Sequence, residues 1–150
     1  MILIKNKQRK IKVDTEQLQL DAERILTFLK YQDYDLGIVL TSNATMQKYN
    51  RDYRHKDKAT DILSFPFYPK LKPGERIKPT SDDEKNLGDL IIAPQYVQKD
   101  APNWKQNFDE RMRVLLVHGI CHLLGYDHET EEEYVVMHRK EKALLKKLSQ

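Results

Sequence analysis

The stretch "DERMRVLLVHGICHLLGYDH", residues 109–128, constrains the fold more than any other part of this sequence. On a helical wheel Met112, Leu115, Leu116, Gly119 and Leu123 form one stripe, while Val114, Val117 and Leu124 lie on other faces. A helix apolar nearly all round is buried on both sides, so the spacing predicts a helix from about Asp109 to Leu124 sandwiched between other elements. Gly125 can take the left-handed conformation that ends a helix and turns the chain sharply. His118 and His122 are four apart and stand one turn above the other on the same face. Two imidazoles so placed can share a metal ion, and the turn after Gly125 can fold His128 back towards it. Three neutral nitrogens leave one tetrahedral position open, the arrangement of a catalytic zinc site.

The rest of the chain supplies the elements that such a helix packs against. Ile2, Leu3 and Ile4 suggest a short strand, followed by the polar turn "KNKQRK". Thr15 is the expected cap of a helix through about Tyr31, with Leu18, Ala22, Ile25, Leu26 and Leu29 on one face. "DLGIVLTS" reads as a buried strand, and Ser42 or Asn43 caps a second helix towards Tyr53. "TDILSFPF" alternates and is rich in β-formers, with Pro66 marking an edge strand or a strand end. The Lys-, Pro- and Asp-rich stretch 69–86 is expected to be a mobile surface loop, and "LGDLIIA" another buried strand. Thr130 and Glu133 form the capping box of a last helix, with acids in its first turn and Lys146 and Lys147 in its last. This order predicts a single α+β domain, residues 1–150, built on a small mixed sheet.

Composition narrows the class of protein. With 33% charged and 39% hydrophobic residues the chain has the balance of a globular protein, not of a disordered one. The opening "MILIKNKQRK" has too short an apolar run for a signal peptide, and no run approaches a membrane span. Cys121 is the only cysteine, which excludes an intramolecular disulfide and fits a cytoplasmic location. A net charge of +3 is weak support for a polyanionic partner.

Each site residue also has a structural reading. A lone histidine on a helix, as His55 or His138 would be, is usually a satisfied polar residue, whereas H-x3-H-x2-G-x2-H at the end of a buried helix is not explained that way. Cys121 points well away from the line of His118 and His122, and reads as a small core residue rather than a fourth ligand. Asp127 and Glu129 either orient a histidine through its free N–H or are solvated turn residues. Three imidazoles accept nickel or copper as well as zinc.

"HGICHLLGYDH" closely resembles the signature of the YbeY family, bacterial metal-dependent endoribonucleases that act in ribosomal RNA maturation. "YRHKDKATDILSFPF" at 53–67 and "LGDLIIA" at 87–93 are similar to two further blocks of that family, and order, spacing and length agree over nearly the whole chain. The resemblance implies that His118, His122 and His128 are zinc ligands and that Arg54 matches the arginine needed for activity. It implies a mixed four-stranded sheet with helices, distantly like metzincin peptidases. It further implies single-stranded and ribosomal RNA as substrates, in small-subunit 3′-end processing and ribosome quality control, with the small subunit as partner. Cys121 stands where relatives usually have a larger apolar residue. The "RDYRHKDK" segment adds Tyr53 as a stacking surface and Lys56 and Lys58 as cations, and Ser64 joins them as a candidate substrate contact. Lys70, Lys72, Arg76 and Lys78 either widen a positive groove or serve solubility.

Gly119 stands where helical zinc peptidases keep a glutamate. That glutamate takes a proton from water and delivers it to the departing amine. Without it, peptide hydrolysis is badly handicapped. A phosphodiester needs negative charge stabilised on its non-bridging oxygens, a task for a cationic metal and a guanidinium fork. Activated water or the neighbouring 2′-hydroxyl can then attack, and the residues do not choose between them. The competing reading is a non-catalytic ribosome-associated RNA-binding factor whose zinc only locks the turn; a fourth protein ligand would favour it.

Overall fold

In the computed structural model, which describes residues 1–150, one sheet organises the chain. Its strands are β1 (Ile2–Asn6), β2 (Asp35–Leu40), β3 (Ile62–Pro66) and β4 (Asn86–Ile92), in the order β1-β2-β4-β3. β1, β2 and β4 run parallel, and β3 pairs antiparallel with β4 on one edge, so the sheet is mixed. The helices are α1 (Thr15–Phe28), α2 (Asn43–Arg54), α3 (Pro94–Asp100), α4 (Phe108–Leu123) and α5 (Glu131–Leu148). The α+β class and the mixed four-stranded sheet are as the sequence predicts. No helix is long and apolar enough to cross a membrane.

Strand alternation divides the apolar residues between two faces. Leu36, Ile38, Leu40, Leu90 and Ile92 point into the main core, where α1, α4 and α5 cover them. Leu63 and Ile91 face the other way and meet Met46 of α2, with Tyr49, Phe65 and Tyr96 partly buried around them. The two-sided burial expected of α4 is observed: Leu115, Leu116, Val117, Gly119, Ile120, Cys121 and Leu123 are all buried. A capping box between Asn107 and Glu110 starts that helix. Arg113 then ties it to α1 through a two-point ion pair with Asp21, at 3.1 Å for each contact.

Three local expectations are corrected. α1 is capped by Asp14, whose side chain accepts from the Gln17 N–H at 3.0 Å, because Thr15 already lies within the helix. It also ends at Phe28 rather than Tyr31: Lys30 adopts φ 63°, and the Tyr31 N–H turns back to the Leu26 carbonyl at 2.8 Å.

Residues 69–86, expected to be a mobile loop, are instead pinned to the body of the fold. Ile77 is buried and its N–H donates to the Tyr31 hydroxyl at 3.1 Å. Arg76 lies over the Tyr31 ring at 3.9 Å and donates to the carbonyls of Leu29 and Lys30 at 2.8 and 3.1 Å. Its guanidinium thus satisfies carbonyls at the end of α1, which removes it from any positive groove. The Tyr68 hydroxyl bonds the Glu84 carbonyl at the base of the segment. These long-range anchors have no periodic signature, so composition alone misreads the segment.

Candidate metal centre

α4 delivers His118 and His122 from its last turns, where the helix lies against the sheet. That close approach leaves little room for a side chain at Gly119. A Cβ at this position would stand 2.8 Å from Ile62 Cδ1 and 2.8 Å from Leu90 Cδ2, both from buried residues of the sheet. The Ser64 hydroxyl of β3 reaches the Gly119 carbonyl at 3.5 Å. The glycine therefore has a packing reason that the sequence did not disclose, beside the chemical consequence of lacking a carboxylate. At the helix end Gly125 takes φ 96°, and a Cβ there would lie 2.8 Å from the Leu71 carbonyl carbon. Only glycine meets both the left-handed backbone and the neighbouring strap. The turn it makes sends His128 back across the end of α4.

His118, His122 and His128 converge, with one ligating atom from each lying within 4.8 Å of the others. The Nε2 atoms of His118 and His122 are 3.1 Å apart. Two nitrogens sharing a tetrahedral metal at about 2.0–2.1 Å would sit roughly 3.3 Å from each other, so the pair is close to the spacing needed. The outer nitrogens are held. His118 Nδ1 donates to Glu141 Oε2 at 2.8 Å, and His122 Nδ1 donates to the Tyr126 carbonyl at 2.9 Å. A carboxylate and a carbonyl are both acceptors, so each Nδ1 carries the hydrogen and each Nε2 is turned inward. Burial first, and then the neighbouring His118 and His128, hold His122 well below the usual imidazole range, at about 4. Its Nε2 therefore presents a lone pair at neutral pH, aimed at another imidazole nitrogen. A cation between the rings satisfies that arrangement, and the donor set fits a borderline transition metal. His128 is the exposed member of the three and has room to adjust.

Two carboxylates near the motif in sequence do not orient these rings. Asp127 accepts from the N–H of His128 at 2.8 Å, a turn contact, and Glu129 is exposed. The orienting carboxylate is Glu141 on α5, twenty-three residues from His118 in the chain. The only signal for it in the sequence is its place on the inward side of the last helix, one turn past buried Met137. Cys121 is fully buried, and burial, with a further push from Glu141, raises its thiol to about 12. It packs in the core and is not part of the histidine group.

The remaining candidates lie on the α2–β3 side. Arg54 ends α2 and is exposed, and His55 closes the helix in the left-handed conformation at φ 58°. Tyr53 is 64% exposed, stacks on Tyr49 at 6.0 Å and meets the edge of Phe65 at 5.2 Å. Lys56 and Lys58 are exposed in the following turn, which the Asn50 side chain secures by donating to the Lys58 carbonyl at 2.9 Å. Ser64 is the one member of this group that touches α4. Arg54, Tyr53, Lys56 and Lys58 make no hydrogen bond or ring contact with the three histidines; β3 is the element that joins their segment to α4.

The fold and this group of residues define a class: an α+β protein with three convergent imidazoles, able to hold a metal ion, at the end of a buried helix. The family model described as Endoribonuclease YbeY matches residues 3–149, and the chain belongs to that family. It is 38% identical to a Homo sapiens protein named Endoribonuclease YbeY, an alignment covering 98% of this chain and 87% of the relative. It is 36% identical to a Clostridium botulinum protein of the same name, with 97% and 96% covered. A solution structure of a Thermotoga maritima protein shares the fold, with a TM-score of 0.59 at 22% identity over 99% of this chain and 92% of that one.

Proposed function

We propose that the protein is a zinc-dependent endoribonuclease that cuts single-stranded RNA during ribosomal RNA maturation. The observation that carries this reading is the convergence of three oriented imidazoles beside a glycine, in a chain of the YbeY family. One zinc ion per chain, held by His118, His122 and His128, would supply Lewis acidity and activate a hydroxyl nucleophile at neutral pH. Glu141 and the Tyr126 carbonyl keep the two helical imidazoles aimed. With no carboxylate at position 119, the site lacks the proton carrier for amide cleavage, which favours a phosphodiester. Arg54 is the phosphate clamp in this reading. It makes no ion pair or side-chain hydrogen bond, so its guanidinium fork is free to take two phosphate oxygens. Tyr53 offers a stacking face, Lys56 and Lys58 offer charge, and Ser64 offers a hydroxyl on the α4 side of β3.

The setting proposed with it follows from the family resemblance: the 3′ end of small-subunit ribosomal RNA, ribosome quality control, the small subunit as partner and the cytoplasm as location. A duplex is a poor substrate because its bases cannot be splayed out and stacked. The competing reading, an RNA-binding factor with a structural zinc, would be favoured by a fourth protein ligand from Cys121 or Asp127; Cys121 is buried outside the histidine group, and Asp127 accepts from the backbone N–H of His128.

Metal-stripped protein with add-back, assayed on single-stranded and duplex RNA, tests the proposal. Cleavage of the single strand should vanish on chelation and return with zinc, and replacing His118 and His122 together should abolish metal content. Arg54→Ala should keep metal and fold while slowing single-turnover cleavage about 10²–10³-fold, and Arg54→Lys should rescue little. Inert RNA alongside chelator-sensitive proteolysis would reject the assignment.

A further inference from the structure

We propose that the loop joining β1 to α1 is a second RNA-binding surface, remote from the metal centre, that grips the phosphate backbone without reading bases. The inference rests on RNA being the substrate. Residues 5–12, "KNKQRKIK", carry five cations and no acid. The whole chain has a net charge of only +3, so the remaining residues together are net negative. Lys5, Lys7, Arg9, Lys10 and Lys12 are all exposed, and none takes part in an ion pair.

The loop is built rather than loose. Gln8 is its one buried residue, at 9% exposure. Its amide donates to the Asn6 side chain at 3.0 Å and to the Ile11 carbonyl at 2.8 Å, and accepts from the Ile11 N–H at 3.0 Å. The Lys7 N–H donates to the Leu40 carbonyl at 2.8 Å, which fastens the loop to the end of β2. A buried glutamine that satisfies its own turn leaves little backbone freedom, so binding there loses less ordering entropy than binding to a flexible tail. Lys7, Arg9, Lys10 and Lys12 are held on the outside of that knot, with Lys5 beside them at the end of β1.

Charge without aromatic or aliphatic exposure fits the sugar-phosphate backbone. The residues between the cations are Asn6, Gln8 and half-buried Ile11, so the loop has no ring for a base and no wedge for a bilayer. Its position sets it apart from the metal centre. β1 is the edge opposite β3, three strand spacings or about 14 Å across the sheet, whereas α4 packs on β3 and β4.

The test measures binding of the full chain to a fluorescein-labelled RNA across a salt series, in chelator so that nothing is cut. Replacing Lys7, Arg9, Lys10 and Lys12 with Gln should reduce the slope of log affinity against log salt by about 3, at roughly 0.7 for each phosphate no longer neutralised. A Lys7→Arg, Lys10→Arg, Lys12→Arg variant should keep the parental slope. An unchanged slope in the Gln variant overturns the proposal, as does a parental RNA slope with binding to phosphatidylserine vesicles abolished instead. Cleavage by the parent protein is scored separately. A fallen slope with no cleavage at any metal would keep this surface and reject the nuclease reading, whereas cleavage with an unchanged slope would reject this surface alone.

Discussion

Glu141→Ala removes the acceptor that holds His118. The contact is 2.8 Å long between side chains only 27% and 15% exposed, so water is a poor replacement for the carboxylate. Without it the ring can rotate about its bonds, and Nε2 no longer stays 3.1 Å from its counterpart on His122. Carboxylates in this position behind a ligating histidine are typically worth about 10–100-fold in metal affinity, or about 1.4–2.7 kcal/mol. Glu141→Gln keeps an oxygen that can accept from Nδ1 but removes the charge, so its effect should fall at the low end of that range. Competition of metal-stripped protein against a chromophoric chelator measures both, and thermal unfolding of the stripped protein measures any cost to the fold. Parental affinity in both variants would refute the orienting role. A lower melting temperature with parental affinity would make Glu141 a packing residue only.

Gly119→Ala places a methyl group 2.8 Å from Ile62 and Leu90 and should cost about 1–3 kcal/mol in denaturant unfolding; a variant as stable as the parent would show that the sheet yields freely. Gly125→Ala combines φ 96° with a carbonyl carbon at 2.8 Å from the added Cβ. It should lower stability by about 1–3 kcal/mol and loosen metal binding by displacing His128, measured by the same chelator competition. Cys121 should resist a thiol reagent such as dithionitrobenzoate at mildly alkaline pH until the protein is unfolded, because it is fully buried and its thiol is pushed up to about 12. Reaction of the folded protein at the rate of a free thiol would contradict that burial.

Local patterns determined a good part of this protein. The all-round apolar character of residues 109–124 dictated a helix buried on both sides, and the four-residue spacing of His118 and His122 put both rings on one face. Alternation at 60–67, short apolar runs elsewhere and the turn residues between them dictated the strands, because such patterns are properties of adjacent residues. What depends on partners distant in the chain was decided by the tertiary structure. Glu141 meets His118 only because α5 folds back along α4. The strap carrying Arg76 and Ile77 is pinned by Tyr31 and by the end of α1, although its composition reads as a mobile loop. Gly119 reads in the sequence as a residue chosen for chemistry, and the sheet beneath it adds a steric demand that no spacing rule contains. Helical and strand periods are written along the backbone within a few residues; the contacts that aim a ligand or admit a Cβ are set by whichever surfaces the folded chain presses together.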